Sequence, residues 1–572
     1  MADIPLYCFF WIMTFLTPGT PGSNQPPREA PIDGIRIAWD RTTLRQLSPT
    51  SARYAGYARM IVLHDGSLFC VYECQGATHA IRSADQGNTW SEPTIVAAPE
   101  NGIARVVPEV LQLQDKSILV SYNLRPPGNN TDSTKRFAIE VKRSVDGRQW
   151  SAPVRIYTAG HEFGNGCWEP AQIQLPSGEI QLFIANEGPY TQTNEQEITL
   201  FRSHDNGAHW TAGEKVSFRS KHRDGMPVPL RLKNGREIVY AIEDNGVPGQ
   251  QSFVPVIVRT PAGGAWQNAP VLADSKDRAY ALEARNRVPA SAYAGAPYIR
   301  QLPSGETLLS YQSTEWRHNA PWDRSDMVVA IGDDEARHFN RKSRPFYFAD
   351  STRTCLWNSL AVLNDTTVVA LGSTNGLGSN TGVWMIKGSV VPPVNAPRHA
   401  ARIKQPLFIG GYGATQARIG LTWDSKQLYI HATVKDADVV DRGSTRDGLR
   451  LYLDPHNRAT ATPETGIFTV AIDAAGIVTF AEGEEGAWTT RKPSGVRSTV
   501  TRTANGYTLE VRIPWPAPGV KPGHTLRFHA VLSDATTTGT AYAEPLSGNE
   551  NDKPYTWSPV KIVNEKHEHP EQ

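Results

Sequence analysis

A pattern of hydrophobic and polar positions recurs six times between residues 63 and 373. Each copy has an apolar run, a short turn rich in Asp, Asn and Gly, and a second apolar run. The copies begin at Leu63, Leu113, Leu175, Leu232, Leu302 and Leu363. Two apolar runs joined by such a turn form a β-hairpin. Because the copies lie about 50 to 70 residues apart, enough for four strands each, they predict a six-bladed β-propeller over residues 35–390.

A different pattern follows residue 397. Segments such as LYIHATV, LRLYLD and TLEVRIP alternate apolar and polar positions with a period of two, which is typical of half-buried strands. They predict a β-sandwich over residues 398–563, with residues 564–572 as a tail. The stretch 391–397 is rich in proline and is predicted to be a linker. The whole chain is therefore predicted to be all-β.

Residues 1–34 have the composition of a leader. The apolar run PLYCFFWIMTFL, at residues 5–16, is too short to span a bilayer and suits the core of a signal peptide. The preceding residues include Asp3 but neither Lys nor Arg, so the segment is atypical. We expect a secreted or periplasmic protein that is not embedded in a membrane.

Charge and cysteine content narrow the classes of partner. The formal net charge is +1, which gives no electrostatic reason to expect a nucleic acid partner. The five cysteines show no CxxC and no metal-ligand spacing. They are interpreted as buried thiols, with one disulfide pair among them as the alternative. We expect a monomer that requires no cofactor for its chemistry.

A second motif lies within the repeats. SADQGNTW and SHDNGAHW match S-x-D-x-G-x-x-W, and SVDGRQW is one residue shorter. In these turns the aspartate accepts backbone N–H bonds and the tryptophan packs under the loop. The motifs are Asp boxes, and the chain here resembles the sialidase-like propellers. Asp85, Asp146 and Asp205 are therefore expected to stabilise turns and not to act as catalysts.

The end of the blades opposite these turns is predicted to carry the chemistry, because the first strand of a hairpin starts beside the end of the second. The side chains at the strand starts should converge on the propeller axis. Six residues before each repeat leucine stand Tyr57, Val107, Glu169, Met226, Ala296 and Trp357; four before it stand Arg59, Glu109, Ala171, Val228, Tyr298 and Ser359.

Two glutamates stand out at this end, Glu169 in CWEP and Glu243 in YAIEDNG. A glycosidase uses one carboxyl group to protonate the leaving oxygen and a second as nucleophile or base. Two carboxylates from neighbouring blades suit this chemistry. The alternative for each is a hydrogen-bonded glutamate at a strand end.

The motifs WEP, GMP with YAIE, GAPYIRQLPSGETLLSYQSTE and LWNSL resemble glycoside hydrolase family 93. This resemblance implies an exo-acting α-1,5-L-arabinanase with a retaining mechanism and implies Glu169 and Glu243 as the catalytic pair. The resemblance implies the pair but does not fix which glutamate has which role. Trp168 offers an apolar neighbour that would raise the pKa of Glu169, which favours Glu169 as acid/base and Glu243 as nucleophile, and the reverse order is the alternative. The predicted substrate-binding residues are Arg59, Glu109, Trp168, Tyr298, Trp357 and Asn358.

Two alternatives remain open. A sialidase would need three arginines, for which Arg59, Arg125 and Arg317 are candidates, but Trp357 stands where sialidases place the nucleophilic tyrosine. Arg59 could also pair with Glu109 and not bind sugar. The other alternative is a carbohydrate-binding propeller without catalysis, since sites on one fold vary widely.

The C-terminal region resembles carbohydrate-binding module family 9 in WDSKQLYIHATVKD, DGLRLYLDP and the closing W-x-P-V. The resemblance implies that aromatic side chains bind terminal sugars, and the candidates are Trp488, Trp515 and Trp557. Asp436, Asp438 and Asp447 are candidate ligands of a structural calcium ion. Ordinary packing and turn chemistry are the alternative for both sets.

Overall fold

The computed structural model describes residues 30–246, 253–317, 320–348, 350–398, 403–410, 415–492, 495–516, 520–536 and 541–564. Its regular structure is almost entirely strand, so the all-β prediction is confirmed. The predicted signal segment and most of the predicted tail lie outside the described residues. Within them, no helix has the length and apolar composition needed to cross a membrane.

Six antiparallel sheets of four strands occupy the region of the six repeats. The strand that precedes them all is β1 (Arg36–Gln46). Sheet 1 consists of β2 (Ala55–Val62), β3 (Leu68–Cys74), β4 (Ala77–Ser83) and β5 (Thr94–Ala97). Sheet 2 consists of β6 (Ala104–Gln112), β7 (Ile118–Arg125), β8 (Ala138–Ser144) and β9 (Val154–Thr158). Sheet 3 consists of β10 (Cys167–Gln174), β11 (Ile180–Asn186), β12 (Glu197–Ser203) and β13 (Glu214–Ser217).

The other three sheets follow the same plan. Sheet 4 consists of β14 (His222–Arg231), β15 (Glu237–Gly246), β16 (Val254–Pro261) and β17 (Arg278–Tyr280). Sheet 5 consists of β18 (Ala294–Gln301), β19 (Thr307–Ser313), β20 (Asp326–Gly332) and β21 (Asn340–Ser343). Sheet 6 consists of β22 (Cys355–Val362), β23 (Thr367–Thr374), β24 (Gly382–Val391) and, as its outer strand, β1.

Each predicted hairpin forms the first two strands of one sheet. The first strands of consecutive sheets contact one another, and β22 in turn contacts β2. Because β1 pairs with β24, both ends of this region meet in sheet 6. The turns use the positive φ that glycine tolerates, as at Gly66 (φ 81°) and Gly178 (φ 92°). The four described cysteines are free, buried thiols.

Short 3₁₀ helices occur only in the connections of the described chain. They are Phe163–Asn165, Gly188–Tyr190, Ala262–Gly264, Ala284–Asn286, Trp322–Arg324 and Pro554–Thr556.

The C-terminal region has two sheets that share one buried core. The smaller sheet consists of β26 (Leu407–Gly410), β27 (Gln416–Trp423), β28 (Gln427–Lys435), β33 (Arg497–Thr503) and β34 (Gly506–Pro514). The larger consists of β25 (Val394–Pro397), β29 (Gly448–Asp454), β30 (Phe468–Asp473), β31 (Val478–Glu484), β32 (Ala487–Arg491), β35 (Thr525–Ala535), β36 (Ala541–Pro545) and β37 (Ser558–Val563).

The segment predicted as a linker, residues 391–397, is not an independent connection. Its second half, β25, pairs in parallel with the last strand, β37, and forms the edge of the larger sheet. Proline is tolerated on an edge strand, where a missing N–H breaks no ladder bond. A proline-rich composition therefore did not distinguish a linker from an edge strand.

The two regions pack closely. Ala38 of β1 belongs to the core of the C-terminal region together with Val391 and Val394. Gln416 donates a hydrogen bond to Asp40 at 2.7 Å. Even the last residues of the predicted leader take part, since the Ile32 N–H donates to the carbonyl of Tyr555 at 3.0 Å.

We predict that a chain ending at Val391 will still fold, because β1 and β24 keep their pairing. Its melting temperature should fall by several degrees, because removal of the C-terminal region exposes the apolar face of β1 to water. Circular dichroism and calorimetry of this chain and the full chain would measure both effects. A truncated chain without a cooperative transition would contradict the prediction.

Candidate functional site

The first strands of all six sheets carry the same irregularity. Each has a shift in pairing register at the position six residues before the repeat leucine. The residues there have φ between 44° and 53°: Tyr57, Val107, Glu169, Met226, Ala296 and Trp357. Such bulges bend a strand and redirect a side chain. These six residues are the set that the repeat register predicted to converge.

The preceding sheet holds most of these bulges in place. A side chain near the end of its second strand accepts the N–H of the bulge residue. The acceptor–donor pairs are Glu73–Val107 (2.9 Å), Asn123–Glu169 (2.9 Å), Glu243–Ala296 (2.7 Å), Gln312–Trp357 (2.8 Å) and Ser373–Tyr57 (3.2 Å). In sheet 3 the equivalent position is Ala185, which has no side-chain acceptor.

The convergence predicted from the sequence is observed. Tyr57, Val107, Met226 and Ala296, which belong to four different sheets, form one small buried cluster with Trp357 packed against it. Glu169 is the charged member of the set of bulge residues. The six first strands thus bring one residue each to a common centre, which we call the axial site.

Two contacts hold Glu169 in place: its backbone N–H donates to Asn123, and its carboxylate pairs with Arg125. Its side chain is 17 % exposed, and its carboxylate lies 3.1 Å from the guanidinium of Arg125. Burial raises the pKa of Glu169 to about 7; Arg125 opposes the rise, and the charges of Glu243 and Glu187 add to it. The guanidinium of Arg125 also lies over the ring of Trp168, 4.9 Å from its centroid.

Glu243 fits into a space that only glycines leave open. A Cβ atom at Gly225 would lie 3.0 Å from its Cγ, and one at Gly295 would overlap with its carboxylate. One carboxylate oxygen accepts the Ala296 N–H. Burial raises the pKa of Glu243, while this hydrogen bond and the charge of Arg223 lower it. Because the charge of Glu243 also raises the pKa of Glu169, the two carboxylates interact electrostatically.

Most of the predicted substrate-binding residues are buried. Arg59 pairs with Glu109 at 3.4 Å, and its guanidinium lies 4.8 Å from the ring centroid of Tyr298. All three are at least 94 % buried. The salt-bridge alternative for Arg59 is therefore the one observed. The register of the repeats predicted that these side chains point to the axis, but it could not predict how deeply they are buried.

The remaining three predicted residues differ in exposure. Asn358 is buried and donates to the carbonyl of Ala296 at 3.2 Å. Trp168 is buried against Phe137 and Phe163. Trp357 is half-buried and stacks on Tyr57 with ring centroids 4.7 Å apart. Of the six predicted residues, Trp357 alone keeps substantial exposed surface at the axial site.

Sequence reasoning missed two tyrosines that belong to this site. Tyr54 and Tyr293 each stand three residues before a bulge residue, in the matching segments YAGY and YAGA. The Tyr54 hydroxyl is hydrogen-bonded to Glu73, and the Tyr293 hydroxyl accepts a bond from Gln312 at 2.8 Å. The repeated YAG segment was the signal that could have found them.

The three arginines that a sialidase would need are each committed to a carboxylate of the protein. Arg59 pairs with Glu109, Arg125 with Glu169, and Arg317 with Asp326. They therefore do not form a cluster open to a substrate carboxylate. This arrangement is unfavourable to the sialidase alternative.

The motif aspartates stabilise their own turns, as expected. Asp85 accepts the Thr89 N–H and the Ser83 hydroxyl at 2.8 Å each. Backbone hydrogen bonds lower the pKa of Asp85 and Asp205 to about 2 and also lower that of Asp146. None of the three lies near the bulges.

In the C-terminal region, Asp436, Asp447 and Asp534 bring carboxylate oxygens within 4.8 Å of one another. One Asp436 oxygen is buried without a hydrogen-bond partner in the described chain. Such a set suits a hard cation with oxygen ligands, such as calcium. Two of the three predicted ligands take part, whereas Asp438 does not and Asp534 was not predicted.

Of the candidate sugar-binding tryptophans, Trp488 and Trp557 have nearly parallel rings with centroids 6.5 Å apart. Trp557 is fully buried, and the Trp488 indole donates to Asp552 at 2.8 Å. Trp515 packs against the core and donates to the carbonyl of Asp424.

Comparisons with known families agree with the motifs. Residues 127–229 match the model of the BNR repeat-like domain, and residues 404–558 match the carbohydrate family 9 binding domain-like model. The chain contains a match to each of these domain models. The resemblance to carbohydrate-binding module family 9 is confirmed, and the BNR match agrees with the resemblance of the repeat region to sialidase-like propellers.

Individual relatives are more distant. Exoglucanase XynX of Acetivibrio thermocellus is 27 % identical over 137 residues, 23 % of this chain and only 12 % of that protein's length. The GH93 α-L-arabinofuranosidase of Fusarium graminearum with arabinobiose is 20 % identical, covering 63 % of this chain and 98 % of that one, with a TM-score of 0.46. A family 9 carbohydrate-binding module of Caldicellulosiruptor kristjanssonii with cellotriose is 14 % identical, covering 31 % and 97 %, with a TM-score of 0.26.

The raised pKa of Glu169 predicts a pH-dependent stability. A carboxyl group whose folded pKa lies above its unfolded value contributes stability at low pH and loses it as pH rises through the folded pKa. We therefore expect the melting temperature of Glu169→Gln, relative to the native protein, to increase between pH 5 and pH 8. Glu162→Gln, at an exposed glutamate nearby, is the control. An unchanged difference across this range would contradict the assignment.

Proposed function

We propose that the six sheets are the blades of a propeller and that its axial site hydrolyses glycosidic bonds. The specific proposal is an exo-acting, retaining hydrolase of a plant-type polysaccharide, most similar to an exo-α-1,5-L-arabinanase. The observation that carries it is the pair Glu169 and Glu243. Both are partly buried, both have raised pKa values, and they interact electrostatically at the centre where the six first strands meet.

The environments of the two carboxyl groups support distinct roles. A general acid must hold a proton near neutral pH, and a pKa of about 7 allows Glu169 to do so. A nucleophile must be ionised. Burial raises the pKa of Glu243, and the Ala296 N–H and Arg223 oppose that rise by stabilising its charged form. In the proposed reaction Glu169 protonates the leaving oxygen while Glu243 attacks the anomeric carbon. Glu169, then ionised, takes a proton from a water molecule, whose oxygen attacks the anomeric carbon, breaks the bond to Glu243 and releases the sugar.

A second candidate, a binding propeller without catalysis, has one observation in its favour. Glu243 accepts a bulge N–H in the same way as Asn123, Gln312 and Ser373, so a structural role alone could account for it.

Arabinan, debranched arabino-oligosaccharides, sialyllactose and gum polysaccharides are the substrates to screen. Proton NMR of the first product would reveal whether the anomeric configuration is retained.

We predict that Glu169→Gln and Glu243→Gln each lower kcat by at least about 100-fold while the protein stays folded, since each removes a proton carrier or a nucleophile. Glu162→Gln, at an exposed glutamate outside the axial site, serves as the control. Wild-type hydrolysis rates in either glutamate variant would refute the proposed roles.

We also predict a bell-shaped dependence of kcat/KM on pH. Activity should fall above about pH 7, where Glu169 loses its proton, and on the acid side, where Glu243 gains one. Arg125 lowers the pKa of Glu169, so Arg125→Met should move the alkaline limb to higher pH. Arg125→Lys keeps the charge and should move it less. An alkaline limb that stays in place in Arg125→Met would contradict this model.

We propose further that Asp436, Asp447 and Asp534 hold a structural calcium ion, whose two positive charges offset the mutual repulsion of three carboxylates in a small volume. Calcium should then raise the melting temperature of the protein, and a chelator should reverse the effect. The increase should be lost in Asp436→Asn and kept in Asp438→Asn, whose side chain is outside the cluster. Equal responses of the two variants would rule out this site.

Secretion and a monomeric state stay predictions from the sequence.

A further inference from the structure

An aromatic arc connects the surroundings of the two glutamates. Trp357 stacks on Tyr57, and its ring centroid lies 5.9 Å from that of Trp322. Trp322 in turn lies 6.3 Å from Tyr293. Tyr57 lies within electrostatic range of Glu169, and Tyr293 lies within range of Glu243. The four rings therefore lie in the surroundings of both carboxyl groups of the axial site.

Trp322 is the most exposed of the four rings. Tyr57 is buried, Trp357 and Tyr293 are half-buried, and Trp322 is 50 % exposed. Trp322 lies in the 3₁₀ helix Trp322–Arg324, in the connection between the second and third strands of sheet 5. A tryptophan of this exposure leaves a large apolar area in water, and a ligand that packed on it would remove that area from water.

A neighbouring tryptophan provides a contrast. Trp316 is also exposed, at 46 %, but the guanidinium of Arg344 lies 5.0 Å from its ring centroid and the ammonium of Lys342 lies 5.8 Å away. These cations are favourable partners for its π face. In the described chain no cation lies over Trp322 in this way. Its surroundings are other aromatic rings, so its free surface suits an uncharged, flat apolar face.

We propose that Trp322 is the platform for a sugar unit beyond the one held at Glu169 and Glu243. The apolar C–H face of a neutral sugar ring would cover the indole and remove its apolar surface from water. Trp357 would carry the adjoining part of the same oligosaccharide. The inference rests on the proposed function, and it assigns the axial site a preference for substrates longer than the minimum unit.

The test compares Trp322→Ala with Trp316→Ala, which removes an equally exposed tryptophan six residues away in the chain. kcat/KM is measured on a series of neutral oligosaccharides of increasing length. Trp322→Ala should lose tenfold or more on the longer members, chiefly through KM, and less than twofold on the shortest. In Trp316→Ala, any change in kcat/KM should be the same for all oligosaccharide lengths. Trp322→Phe should recover much of the kcat/KM that Trp322→Ala loses. Equal length profiles for Trp322→Ala and Trp316→Ala would overturn the proposal.

Calorimetric binding of the same oligosaccharides to the native protein and to Trp322→Ala separates this inference from the proposed function. If the native protein hydrolyses nothing but binds long oligosaccharides in a Trp322-dependent way, the hydrolase proposal fails and the platform stands. If the native protein hydrolyses these oligosaccharides and Trp322→Ala binds and cleaves them equally well, the proposal for Trp322 fails and the hydrolase proposal stands.

Discussion

The axial site depends on one hydrogen bond that recurs between sheets. A side chain near the end of the second strand of one sheet accepts the N–H of the bulge residue in the next, in five of the six junctions. Left-handed backbone at a residue other than glycine costs about 1–3 kcal/mol. The hydrogen bond offsets part of that cost by satisfying a donor that the bulge removes from the ladder. Without the bulge, the side chain of Glu169 would not be directed to the centre.

The same bonds explain why acidic residues accumulate there. Glu73 and Glu243 serve as acceptors of a backbone N–H, and Glu169 is itself a bulge residue. Burial raises the pKa of all three carboxyl groups. Arg125 lies near both Glu73 and Glu169 and is their shared counter-charge. Burial of these carboxyl groups favours keeping protons on some of them, and acid catalysis needs such a proton.

The two regions of the chain are joined by a shared strand surface and not only by a connection. β1 completes sheet 6 through β24 and contributes Ala38 to the core of the C-terminal region. The C-terminal region thus covers the outer edge of a sheet whose inner strand, β22, carries Trp357. Ala38 and Asp40 of this outer strand contact the C-terminal region, whereas Tyr57 and Trp357 of the aromatic arc belong to the first strands of their sheets.

Local pattern determined much of this molecule. Hydrophobic periodicity and repeat register predicted the six hairpins and the strand starts that meet, and motif context singled out Glu169 and Glu243 as candidates, because each of these signals depends on residues close together in the chain. The tertiary structure decided what lies at the surface of the site. It buried Arg59 against Glu109, placed Tyr54 and Tyr293 beside the ends of second strands, and drew the proline-rich segment into a sheet. Those outcomes depend on contacts between strands that are distant in the chain. The period of hydrophobic positions predicts which face of a strand a side chain lies on, but it does not predict how deeply neighbouring residues bury that side chain.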